Sequence, residues 1–127
     1  LMQSADIRLI EGAGGWLVPL NPRELFNAVP RELGLDVILV VGMKLGCINH
    51  ALLTARAITQ DGLKIAGWIG TQIDAGMPVF DENVETLTNM LPAPCLGIVP
   101  YQQRINAEKA ATFLRLPCEN SEQSGTL

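Results

Sequence analysis

The chain has 127 residues, is 48% hydrophobic, and carries a formal charge of −4 from 9 basic and 13 acidic side chains. That length supports one buried core. The absence of any basic run excludes a nucleic-acid surface, and no apolar run approaches the ~20 residues of a membrane span. Cys47, Cys95 and Cys118 are widely spaced, form no CxxC pair and share the chain with one histidine. This is the usage of reduced cytosolic thiols, not of a zinc site or a disulfide framework.

The first four residues carry no basic segment leading into an apolar core, so they do not read as a signal peptide. Residues 7–10 (IRLI) form the first predicted strand. A sheet starting there lacks earlier strands as neighbours, and the chain therefore reads as the carboxyl-terminal part of something longer. Glu11-Gly12-Ala13-Gly14-Gly15-Trp16 follows: a carboxylate expected at a strand's carboxyl end, then a glycine-rich turn. An acid so placed can reach Mg²⁺, while glycines let phosphate oxygens approach the backbone. Taken alone the motif is weak, and a solvated glutamate before a structural turn is the simpler reading. Asn21-Pro22-Arg23-Glu24 has the residues of a helix start, with Leu25, Phe26, Val29 and Leu33 inward and Pro30 keeping the helix short.

Residues 36–42 (DVILVVG) are a nearly unbroken apolar run, rich in β-branched side chains, as expected of a buried parallel strand. From Ile48 the apolar positions recur at Ala51, Leu52, Ala55 and Ile58, which is one helix face. The turn between strand and helix holds Leu45, Gly46, Cys47, Ile48 and Asn49. In an open α/β sheet such a turn lies at the carboxyl rim where ligands bind, and its helix-opening N–H groups favour an anion. Asp61-Gly62 then turns the chain into a third strand, residues 63–69, followed by Gly70, Thr71 and Gln72. A helix is predicted over 80–91, ended by Pro92 and Pro94, then a strand over 95–99 closed by Pro100 and Tyr101, and a short helix over 107–114. Residues 1–117 form the domain, and 118–127 read as a disordered polar tail. The alternation predicts an α/β fold with a mostly parallel sheet flanked by helices, with Glu11, the 42–49 loop, Thr71-Gln72 and Pro100-Tyr101 on one rim.

At EGAGGW and at VVGMKLGCINHALLTA (residues 40–55) the sequence resembles the dethiobiotin synthetases, and the match continues through AGWI and LPAPCLG. The GCINHA stretch is the most specific part. The resemblance implies an incomplete P-loop NTPase-like fold, a cytoplasmic homodimer, and an ATP- and Mg²⁺-dependent cyclising ligase of biotin synthesis. That family joins CO₂ (supplied as bicarbonate) to 7,8-diaminononanoate as a carbamate, phosphorylates the carbamate, and closes the ureido ring with release of phosphate. By resemblance Glu11 is a Mg²⁺ ligand and nucleotide contact, with Gly12, Ala13 and Gly14 beside the phosphates. Leu45, Gly46, Cys47, Ile48 and Asn49 would receive the substrate carboxylate across the dimer interface. Thr71, Gln72, Pro100, Tyr101, Gln102 and Glu108 would contact the nucleotide base.

Two positions and one missing motif depart from the family. Thr71 stands where the family has asparagine, and a lone hydroxyl cannot replace a carboxamide that both donates and accepts. Asn83 falls where an aromatic residue lines the substrate site. The GxxxxGK[ST] phosphate loop is absent from the 127 residues, so the chain alone is expected to be inactive. The alternative expectation is a non-catalytic dimerisation or binding remnant. His50 reads as a packed or capping residue, Trp16 and Trp68 as core or interface, and Met43 and Met90 as core packing.

Overall fold

The computed structural model describes residues 7–117. Its elements are β1 (Pro19–Asn21), β2 (Glu24–Leu25), α1 (Ala28–Leu33), β3 (Val37–Met43), α2 (Cys47–Gln60), β4 (Ile65–Gln72), α3 (Phe80–Met90), β5 (Cys95–Val99) and α4 (Ala107–Ala111). The predicted tail lies outside the described residues.

A parallel three-stranded sheet, ordered β3-β4-β5, carries the fold. Sequential strands joined by α2 and α3 give the parallel α/β arrangement read from the sequence. The ladder ends in two rows at the carboxyl rim: Gly42 pairs with Thr71 and Met43 with Gln72, while Thr71 also pairs with Val99. On one sheet face Met43 and Trp68 are fully buried, and Val41 nearly so, beneath α2 and α3. Their partners there are Cys47, Ala51, Ala55 and Ile58 of α2 and Leu87 of α3. The small Ala51 and Ala55 let α2 approach the sheet closely, and this stripe is the 3.6-residue periodicity seen in the sequence. Trp16 belongs to the same core, as expected, whereas Met90 is 58% exposed because it lies on the outer side of the last turn of α3.

Two expectations are corrected. Residues 7–10 are not a strand: Ile7 and Leu9 are 71% and 83% exposed, and no described strand pairs with them. Apolar sequence alone does not make a strand, because its backbone needs an adjacent ladder. The parallel sheet therefore has three strands where the alternation predicted four. The second correction is at Asn21, which starts no helix. Its Oδ1 accepts from the backbone N–H of Arg23 at 2.9 Å and of Glu24 at 3.1 Å, and its Nδ2 donates to Glu24. This side-chain turn joins the antiparallel pair β1-β2, a competition with helix that asparagine often wins. Helix α1 begins later and has six residues, with Pro30 in its first turn where no intrahelical N–H is lost.

The two sheet edges differ. Outside β5, Leu114 bridges Gly97, the Arg115 N–H donates to Leu96 O, and the Arg115 guanidinium donates to Cys95 O. This strap follows α4, which stops at Ala111, earlier than the predicted 114. Outside β3 no described strand pairs.

Candidate functional site

The loops after β3, β4 and β5 leave the parallel sheet at the same rim, because parallel strands present all their carboxyl ends together. After β3, residues 44–46 turn into α2, whose cap Gly46 is left-handed at φ 89°. Leu45 is 98% exposed, Cys47 is buried, Ile48 is half-buried and Asn49 is exposed. Of the N–H groups read as an anion mouth, that of Cys47 already donates to Lys44 O at 3.0 Å, and the first intrahelical bond of α2 runs from the His50 N–H to Gly46 O at 3.1 Å. The amides of Ile48 and Asn49 remain as first-turn donors, which lack an intrahelical acceptor by geometry. His50 is exposed, not packed, and borders a cleft beside β3.

Asn83 is brought to the same loop by α3. Its Oδ1 lies 3.9 Å from the Cys47 Sγ, and its amide donates to Val79 O at 2.6 Å. Asn83 thus touches the helix end that follows the Leu45 turn.

Thr71 and Gln72 are the last residues of β4, both half-buried. The Tyr101 backbone N–H donates to Gln72 Oε1 at 3.2 Å, which ties the β4 end to the segment after β5. Pro100 and Gln102 flank Tyr101, half-buried. Gln102 Oε1 is buried without a hydrogen-bond partner among the described residues, an acceptor available for a donor. Glu108 lies exposed in the first turn of the five-residue α4, which Asn106 caps by accepting from the Lys109 N–H.

Glu11 and Ala13 are exposed in an irregular segment. Since residues 7–10 are no strand, Glu11 does not sit at a strand's carboxyl end as expected. A Cβ on Gly12 would run into the Phe26 ring, so this glycine is already required by packing. Gly12 and Gly14 nonetheless border the same cleft as Lys44, Leu45 and Gly46. The cleft, of ≈ 700 Å³, runs along β3 and brings the glycine segment and the Leu45 turn to one space. Among the described residues no three His, Cys, Asp or Glu side chains converge to hold a metal ion.

A family model described as "AAA domain" matches residues 1–109. The chain belongs to the AAA domain family. Within this AAA domain, three curated relatives bear the name ATP-dependent dethiobiotin synthetase BioD. That of Cellvibrio japonicus is 52% identical over 115 residues, covering 91% of this chain and 50% of the relative. That of Nitrosospira multiformis is 52% identical over 90% of this chain and 50% of the relative. That of Pseudomonas aeruginosa is 50% identical over 91% of this chain and 51% of the relative. The chain spans about half the length of the curated relatives it matches. No helix among the described residues of the AAA domain is long and apolar enough to cross a membrane.

Sequence reasoning missed Asp61 as more than a turn residue. In the structure Asp61 Oδ2 accepts from the Trp16 indole at 2.7 Å and the Asn27 amide at 2.8 Å, and Arg31 stands 3.9 Å from Oδ1. These bonds hold the Asp61 carboxyl below the usual carboxylate range, Asn27 contributing most, then Trp16. No local pattern could have named these partners, which lie 45 and 34 residues away.

Proposed function

We propose that this chain supplies the carboxyl-terminal part of an ATP-dependent dethiobiotin synthetase, a cytoplasmic enzyme that carboxylates 7,8-diaminononanoate and closes the ureido ring. The observation that carries this reading is the roughly half identity to synthetases over about nine-tenths of the chain. The adjacency of Gln72 and Tyr101 at one end of the rim and of Leu45 to Asn49 at the other supports it.

In this reading Thr71, Gln72, Pro100, Tyr101, Gln102 and Glu108 form the base-binding edge. Gln102 Oε1 offers an acceptor for an exocyclic amine, which a base of the adenine type presents. The substrate carboxylate meets the amides of Ile48 and Asn49 and the Asn49 side chain, in a homodimer where this loop serves the partner's substrate. Fixing the carboxylate places the reacting amine at a set distance from the phosphoryl group, the positional contribution to catalysis. Glu11, Gly12, Ala13 and Gly14 lie on the phosphate side. Glu11 would supply the one carboxylate through which this chain holds Mg²⁺. Charge on the transferring γ-phosphoryl group is neutralised by Mg²⁺ when it is bound.

The test is dethiobiotin formation from 7,8-diaminononanoate, bicarbonate and Mg-ATP, with and without a co-expressed segment carrying a GxxxxGK[ST] loop. Activity only with that segment, abolished by Glu11→Ala, is expected. Silence from a folded, dimeric complex would establish the non-catalytic alternative.

A further inference from the structure

We infer that Asp61 is a positioning residue for the glycine segment Glu11 to Gly15, acting through Trp16 and Asn27. Its role toward phosphate rests on the reading of the chain as part of a synthetase. Gly14 and Gly15 have φ of 94° and 102°, and no side chain of their own fixes that conformation. The chain regains an anchor at Trp16, a buried ring whose indole N–H is bound to Asp61 Oδ2. At the other end of the segment, Gly12 lies so close to the Phe26 ring that a Cβ has no room. Phe26 is followed directly by Asn27, the second donor to Asp61 Oδ2. Both supports of the glycine turn therefore converge on one carboxylate oxygen.

The chain between those supports closes on itself. The Val18 N–H donates to Gly15 O at 3.3 Å, and the Phe26 N–H donates to Val18 O at 2.8 Å. Beyond them, β1 and β2 pair with each other in a sheet of two strands. A two-stranded hairpin is marginal by itself, so its ties at the base decide where it sits.

Asp61 caps the end of α2, the helix that opens just after the Leu45 turn. That helix is packed on the sheet through Cys47, Ala51, Ala55 and Ile58, which makes it a fixed reference. The Asp61 bonds thus refer the glycine segment to the same helix that carries the substrate-carboxylate loop. Backbone groups ordered before binding spare the ligand the cost of ordering them, and fixed spacing between the two sides favours reaction. Because both donors share Oδ2, an asparagine carbonyl with its two lone pairs can replace the carboxylate, whereas alanine cannot.

The first measurement is amide hydrogen exchange on the full 127-residue chain. In Asp61→Ala, exchange at Val18 and Phe26 should quicken about tenfold, while the amides from Ala51 to Ile58 keep the parent rate. The second is isothermal titration of Mg-ATP into the complex with a co-expressed segment carrying a GxxxxGK[ST] loop. Asp61→Ala should weaken binding about tenfold, as should Trp16→Phe, which keeps a ring but removes the N–H. Asp61→Asn should restore the parent affinity. In turnover, KM for Mg-ATP should rise while KM for 7,8-diaminononanoate stays within about twofold. Equal quickening throughout α2, or Mg-ATP bound equally tightly by parent and Asp61→Ala, would overturn the Asp61 role alone. So would an Asp61→Asn complex as weak as Asp61→Ala. A parent complex that binds no Mg-ATP would overturn the synthetase reading, and this role with it.

Discussion

The indole N–H of Trp16 donates to Asp61 Oδ2 at 2.7 Å, across 45 residues of chain. With Asn27 on the same oxygen, this bond fastens the segment before β3 to the end of α2. Both donors are on nearly buried side chains, each 9% exposed. Asp61→Ala leaves those donors without their acceptor, at a cost of about 1–3 kcal/mol. A urea titration should show a lower midpoint at unchanged slope.

The same carboxylate sets an acid limb. Its folded-state pKa is depressed, so the stability it contributes is complete above the ordinary aspartate value and is lost as pH falls through the depressed one. Unfolding midpoints measured between pH 6 and 2 should therefore fall less steeply in Asp61→Asn than in the parent chain. Equal slopes would show that other carboxylates govern acid unfolding.

Gly97 has φ 151°, and a Cβ there would run into the Phe113 carbonyl of the strap beside β5. Gly97→Ala should displace residues 113–115 and destabilise the chain by roughly 1–3 kcal/mol. The readout is faster amide exchange at Arg115, whose N–H is bonded to Leu96 O, with little change in α2.

Leu87 is fully buried where α3 meets the core of α2 and the sheet. Truncation to alanine opens a cavity, and a loss of about 2–5 kcal/mol is expected in chemical denaturation. By contrast, Leu53→Ala on the outer side of α2, 57% exposed, should stay within about 0.5 kcal/mol of the parent.

Thr71 tests the base-binding proposal. Thr71→Asn restores a side chain that both donates and accepts, next to Gln72 and the Tyr101 backbone. In the reconstituted synthetase it should tighten ATP binding about tenfold, equivalent to one added hydrogen bond of ~1.4 kcal/mol. Isothermal titration with ATP measures it, and unchanged affinity would remove Thr71 from the base-binding set.

The sequence by itself determined the parallel strands β3, β4 and β5, the helices α2 and α3, and the order in which they alternate. Their signals are local: β-branched runs for strands, and the Ala51, Ala55 and Ile58 stripe for a helix face. It also carried the resemblance to the dethiobiotin synthetases, in the EGAGGW and GCINHA stretches. Only the tertiary structure decided the rest. Residues 7–10 have a strand's composition but no ladder, and pairing is a property of neighbours, not of the segment. Asn21 carries the sign of a helix cap, but its side chain closes the turn between β1 and β2 instead. The roles of Asp61 and Asn83 came from contacts between distant segments: Trp16 and Asn27 for the first, Cys47 for the second. Sequence periodicity reports which face of an element is apolar, whereas packing in three dimensions decides what that face, and each polar group beside it, will meet.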